Sequence, residues 1–268
     1  MSGNPGVEHV ASTPGCTHST TRNEQSTMSP AFPNGAPSEP ASNTSAPSDL
    51  ATRLETVRVG VADAARTAGR EPADITTIVV TKFHPVSLLE ELYALGVRNM
   101  GENRHQEAQS KAASLADLDL VWHFVGQIQG KKARQVRAYA NVIHSVDRES
   151  LVTALASEES TIDCFIQVNL TDDAARGGVH PANLSALVDS ALIAPGVRLL
   201  GLMAVAPLGE EPRRAFAHVR ELSEQIRQQA PAATALSMGM SQDYAAAVLE
   251  GATHLRIGTA ITGNRPVL

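Results

Sequence analysis

From residue 48 onward, short apolar runs alternate with stretches whose apolar residues recur every three or four positions. Short continuous apolar runs predict buried strands, and the three-to-four spacing predicts amphipathic helices. The strand-like runs fall at 75–82, 97–102, 121–128, 142–146, 164–169, 197–205, 236–240 and 255–261. Between them the helical patterns fall at 88–95, 104–115, 133–140, 148–157, 181–191, 213–229 and 241–250. One more helix is predicted at 48–69, ahead of the first strand. Ser48 can cap it, Leu50, Leu54, Val57 and Val61 form its apolar face, and Gly69 ends it.

Eight strands separated by helices predict a parallel sheet, because parallel neighbours need crossover connections. That many units in the stretch 48–268 predict an α/β fold, a (β/α)₈ TIM barrel. A doubly wound open sheet is the alternative. It usually has fewer strands and often a G-x-G-x-x-G turn after the first, and none follows the first strand here. The chain stops at Leu268, soon after the eighth strand, so the usual last outer helix is missing and the helix at 48–69 is expected to fill its place. Residues 1–47 contain no Leu, Ile or Lys and are dominated by Ser, Thr, Pro, Asn and Gly. Such a segment buries too little apolar area to offset its ordering entropy, so a disordered tail is expected there. Its one arginine, Arg22, argues against an Arg-rich transit peptide.

Composition narrows the setting. Aromatic residues are 3% of the chain within 43% hydrophobic content, so the core must be mainly aliphatic. The net charge of −6 offers no basic stripe to nucleic acid and no attraction to an anionic membrane surface. No apolar run is long enough to span a bilayer, and no signal peptide is visible. The two cysteines, Cys16 and Cys164, suit a reduced, cytoplasmic compartment. The nine histidines, among them His9, His18, His105 and His180, show no paired metal-ligand spacing. No P-loop or Gly-x-Ser-x-Gly elbow occurs.

Barrel sites form at the C-terminal ends of strands. Strand one ends in Thr81-Lys82-Phe83-His84-Pro85. Alternation turns Ile78, Val80 and Lys82 inward. A lysine at an apolar barrel mouth is partly desolvated, and desolvation favours the neutral amine that attacks carbonyls. Taken singly, a strand-end lysine is more often only solvated. Strands seven and eight shift the balance, since barrels often build a phosphate site after them. Gly239 and Gly258 allow close backbone approach, and Ser237, Ser241 and Thr259 offer hydroxyls. Ser241 can also cap the following helix. Asn103 and Asn169 can line a pocket or merely satisfy loop backbone. His123 reads equally well as a core histidine. The basic run Lys131, Lys132, Arg134 and Arg137 reads as a solvated helix face, with room for a second anion.

Taken in order, the segments Val80-Thr81-Lys82, Gly101-Glu102-Asn103, His123-Phe124-Val125-Gly126-Gln127-Ile128-Gln129, Gln167-Val168-Asn169, Gly201-Leu202-Met203, Leu236-Ser237-Met238-Gly239-Met240-Ser241 and Arg256-Ile257-Gly258-Thr259-Ala260-Ile261 resemble the pyridoxal 5′-phosphate (PLP) homeostasis proteins, the YggS/PROSC family. The resemblance covers nearly all of 48–268. It implies an alanine racemase N-terminal domain-like barrel that binds PLP as a Schiff base on Lys82. It further implies that Ser237, Ser241, Gly258 and Thr259 hold the phosphate and that Arg256 meets the pyridine nitrogen. Asn103 and Met238 would line the pocket. Two positions depart from the family pattern. Thr262 stands where an aromatic residue commonly follows Ala-Ile, and Arg176-Gly177-Gly178 replaces Lys-x-Gly.

The family has no established reaction, so a carrier that buffers PLP and delivers it to apo-enzymes is expected, acting as a monomer. The alternative is a PLP-dependent racemase or related enzyme. Racemases of this fold use a second base, a tyrosine supplied by a partner subunit's extra domain, for which this chain leaves no room. Tyr93, Tyr139 and Tyr244 all fall in predicted helices, so His84 is the remaining substitute. A third possibility is a barrel that binds another phosphorylated metabolite without covalent chemistry.

Overall fold

The alternation of apolar and polar positions closes into a ring. The computed structural model describes residues 48–171, 173 and 176–264; the tail expected to be disordered lies outside them. In chain order the elements are α1 (Asp49–Thr67), β1 (Thr76–Val80), α2 (Val86–Ala94), β2 (Asn99–Glu102), α3 (His105–Ser114), β3 (Val121–Phe124), α4 (Ala133–Arg137), β4 (Val142–Val146), α5 (Glu149–Leu155), β5 (Ile162–Gln167), α6 (Leu184–Ile193), β6 (Val197–Met203), α7 (Pro212–Ile226), β7 (Ala235–Ser237), α8 (Tyr244–Leu249), β8 (His254–Ile257) and α9 (Thr259–Thr262). All strand pairs are parallel and follow chain order, and β1 pairs with β8, Ile78 opposite Arg256, so the sheet closes as a barrel.

Period-two alternation sorts side chains between two cores. On β4, Ile143 points outward into the layer between sheet and helices, with Leu89, Leu92, Phe124, Leu151 and Phe216. Val142 on the same strand packs inside the barrel with Phe165 and Met203. Helix α1 begins as its sequence dictates: the Ser48 hydroxyl accepts from the Ala51 amide at 3.2 Å, and Leu50, Leu54, Val57 and Val61 are buried. It packs against α8 and α9, and Arg53 Nε donates to the Ile261 carbonyl at 2.7 Å.

Several expected strands run too long, because apolar patterning continues past the point where the backbone turns. β1 stops at Val80, since Phe83 takes a left-handed conformation (φ 69°). Lys82 therefore sits in the turn after the strand. β3 stops at Phe124, which leaves Gln127 and Ile128 in a loop, and β8 gives way at Gly258 to the single turn of α9. Ser241 does not cap the next helix: α8 starts at Tyr244 with Asp243 at its N-cap position.

Candidate active site

Because every strand is parallel, all C-terminal strand ends meet at one mouth, and a cavity of about 440 Å³ opens there. β1 and the turn after it contribute Val80 and Lys82. The half-buried Lys82 side chain has no hydrogen-bond or ion-pair partner among the described residues. Its neighbours are tied down instead. Lys111, buried on α3, donates to the Thr81 carbonyl at 2.8 Å, to Glu102 Oε1 at 2.7 Å and to Glu107 Oε1 at 2.6 Å. Thr81 Oγ1 donates to Glu102 Oε1 at 2.7 Å, and the Phe83 amide donates to Glu107 Oε1 at 2.6 Å. Burial holds the Glu102 carboxyl above its ordinary range, outweighing the opposing pull of Lys111 and Thr81.

The adjoining wall comes from the ends of β7 and β8, since β8 pairs with β1. The Ser241 hydroxyl accepts from the Ala260 amide at 3.2 Å and lies 3.5 Å from Thr259 Oγ1, with Gly258 beside them. Arg256 is buried. Its Nη1 donates to Ser237 Oγ and to the Ser237 carbonyl, both at 2.7 Å, and its Nη2 donates to the Ala204 carbonyl at 2.9 Å. Burial pulls the guanidinium down to about 10, still protonated at neutral pH. Asn103, after β2, lines the cavity on the other side of β1, and its buried Oδ1 has no partner among the described residues.

Six of the expected residues thus meet at one cavity: Lys82, Asn103, Ser241, Arg256, Gly258 and Thr259. Ser237 and Met238 do not line it. Ser237 is fully buried one layer deeper, its hydroxyl held between Arg256 and His144. Met238, one residue on, turns outward and is fully buried in the outer core. His84 also lies off the cavity: burial lowers its imidazole most, and the charges around it are Lys111, Glu107 and Arg53. Asn169 satisfies loop backbone, donating to the Asp173 and Arg176 carbonyls at 2.9 and 3.1 Å.

Gln127, Gln167 and Asp243 also line the cavity. Gln167 follows inward-facing Phe165 by two positions, so alternation alone could have found it. Gln127 and Asp243 sit in loops, where no period operates. Among the described residues no group of three or more His, Cys, Asp and Glu could hold a metal ion, and no helix is long and apolar enough to cross a membrane.

A closed parallel barrel, with a lysine just past its first strand facing hydroxyls and an arginine from its last two, is the barrel type of the alanine racemase N-terminal domain; residues 64–266 match that family model. Alanine racemase from Corynebacterium glutamicum shares the fold at 15% identity and TM-score 0.61, covering 80% of this chain and 62% of that one. Closer in sequence is a pyridoxal phosphate homeostasis protein from Pseudomonas aeruginosa, 39% identical over 225 residues, or 81% of this chain and 96% of that relative. A solved structure of PipY from Synechococcus elongatus, described with PLP bound, matches at 37% identity and TM-score 0.70, covering 80% of this chain and 100% of that one. The chain belongs to the family of pyridoxal phosphate homeostasis proteins, whose members are named for homeostasis rather than for a reaction.

Proposed function

We propose that this protein binds pyridoxal 5′-phosphate at the barrel mouth, holds it covalently and reversibly on Lys82, and serves as a cytoplasmic, monomeric carrier that buffers PLP and delivers it to apo-enzymes. Residues 48–268 would form the carrying barrel, with 1–47 as a separate tail. The observation that carries the reading is that Lys82, with no partner among the described residues, lines one cavity of about 440 Å³ together with Ser241 and Thr259. The relative PipY, 37% identical, is described with PLP bound.

The residues present fit this cofactor. Bound there, PLP supplies an aldehyde that condenses reversibly with a primary amine. Ser241 and Thr259 would donate hydroxyl protons to the phosphate oxygens, and Gly258 would let the backbone come close. The orphaned Asn103 carboxamide is left for a polar substituent of the ring. Arg256 can only donate, so it favours an unprotonated ring nitrogen and weakens the electron sink that PLP enzymes exploit.

Carriage rather than turnover is favoured because, among the described residues, no tyrosine or histidine lines the cavity as a second acid or base. Tyr93, Tyr139 and Tyr244 do not line the cavity, and His84 lies off it. Asp243 lines the wall and accepts from the Met240 amide at 2.5 Å through one of its two carboxyl oxygens, which holds it at the start of α8. A reducing compartment suits Cys164, a free buried thiol that burial pushes up to about 12.

Borohydride reduction of PLP-loaded protein followed by peptide mass mapping tests the assignment. The adduct is expected on Lys82 and is lost in Lys82→Ala; an adduct that survives in that variant would sink it. Incubation with a panel of amino acids in heavy water, read by NMR, separates carrier from enzyme. Exchange of the α-proton at useful turnover rates would favour a racemase-type enzyme.

A further inference from the structure

Beneath the cavity, the barrel interior holds a row of polar side chains. Arg256, Ser237, His144, His123 and Asn99 follow one another from the C-terminal mouth toward the start of β2. Arg256 Nη1 lies 2.7 Å from Ser237 Oγ, which lies 2.8 Å from His144 Nδ1. His144 Nε2 lies 2.9 Å from His123 Nδ1, and His123 Nε2 lies 2.9 Å from Asn99 Oδ1. Arg256, Ser237, His144 and His123 are 5%, 0%, 0% and 3% exposed, so water cannot serve them from bulk.

The direction of every hydrogen bond in this row follows from its two ends, because Arg256 can only donate, Asn99 Oδ1 can only accept, and the two rings between them are neutral. A guanidinium has no acceptor, so Ser237 Oγ must accept from Arg256. The single hydroxyl proton of Ser237 then goes to His144 Nδ1. A neutral His144 that accepts at Nδ1 carries its proton on Nε2 and donates it to His123 Nδ1. His123 is left with its own proton on Nε2, donated to Asn99 Oδ1. Burial favours neutral rings throughout, lowering His144 well below its ordinary value and His123 to about 3. With Nη1 donating twice and Nη2 once, two of the five guanidinium protons keep no partner among the described residues.

We propose that Ser237 and His144 are positioning residues: they hold Arg256 in the cavity wall with its spare donors turned to the ring nitrogen of bound PLP, an inference that rests on the reading above. His123 and Asn99 act through them by fixing the His144 tautomer. The row is a one-way chain of donors, so the arginine is oriented by groups that reach the far end of the barrel. It gives Ser237 a role other than the phosphate contact expected from the sequence.

Nitrogen-15 NMR of the histidine rings tests the chain in the wild-type protein. Both His144 and His123 are expected as neutral Nε2–H tautomers, with or without PLP; an Nδ1–H tautomer on either ring would overturn the proposal. Ring-labelled PLP, fixed on Lys82 by borohydride, reports the arginine contact. Its ring-nitrogen resonance is expected to move in Ser237→Ala and His144→Phe and to return in Ser237→Thr. The unreduced variants Ser237→Ala and His144→Phe should hold PLP about tenfold more weakly, the loss of one hydrogen bond to a charged group. A purely structural role would lower the melting temperature and leave the ring nitrogen unmoved, and that result too would overturn the proposal. Failure of wild-type protein to form any Lys82 adduct is read separately by mass and would instead remove the cofactor reading.

Discussion

Among the described residues the Lys82 side chain has no partner, so its place is set by the residues on either side. Thr81 and Phe83 are both tied to the buried cluster of Lys111, Glu102 and Glu107. Lys111 is the only positive charge in that cluster, and its side chain is 5% exposed. Lys111→Met would leave Glu102 buried without a counter-charge, which typically costs about 3–5 kcal/mol. Chemical denaturation should show a loss of that size, partly recovered when Glu102→Gln is added. A loss below about 1 kcal/mol would mean that the cluster carries little of the turn's stability. The sequence marks Lys82 well, because strand-end position, inward alternation and the later hydroxyl-rich segments agree. It does not mark Lys111, since a lysine in the amphipathic stretch 104–115 reads as a solvated helix charge. Its burial depends on α3 lying against the β1 turn, which no local pattern records.

At the scale of elements, the ends of β2 and β3 are pressed together. A Cβ on Gly126 would sit 2.2 Å from the Asn103 carbonyl oxygen, closer than any side chain can approach backbone. Gly126→Ala must therefore push Asn103 away from the loop after β3 and out of its place in the cavity wall. We expect a loss of about 1–3 kcal/mol, typical of overpacking, together with weaker PLP retention. Calorimetry and a PLP titration check this; unchanged values in both would show that the loop yields freely. The order and type of the elements were legible because each strand run and each helical face is long enough to show its period. The ends were less so. Periodicity does not register the left-handed Phe83 that stops β1, nor the Gly258 turn that breaks β8 from α9. Ser241 looked like a helix cap because of its neighbours in sequence, yet its hydroxyl meets the Ala260 amide, 19 residues away.

The molecule as a whole places three histidines inside its barrel, where burial favours their neutral form. Burial lowers His123 to about 3, His254 to about 4 and His144 well below its ordinary value. Each folded value lies below that of the unfolded chain, so stability is full above the ordinary histidine value near 6.5 and falls as pH drops toward the folded values. The unfolded chain takes up protons that the barrel refuses, at roughly 1.4 kcal/mol per group per pH unit. Denaturation midpoints should therefore fall steeply between about pH 6 and pH 4. A midpoint that stays flat across that window would show that these rings are charged in the fold or exposed. His123 could be read as an interior residue from sequence, but its pairing with His144 depends on the β3–β4 register and was not legible. The ring closes where β1 meets β8, from Thr76 beside His254 to Val79 beside Ile257. Lys82 leaves one side of that seam, and Arg256, Gly258 and Thr259 lie on the other. A cargo joined to Lys82 and gripped at Thr259 would act as a clasp across the first and last strands of the chain. Loading should then slow amide hydrogen exchange along β1 and β8 more than elsewhere, and handing the cargo on would leave a barrel that breathes at its seam.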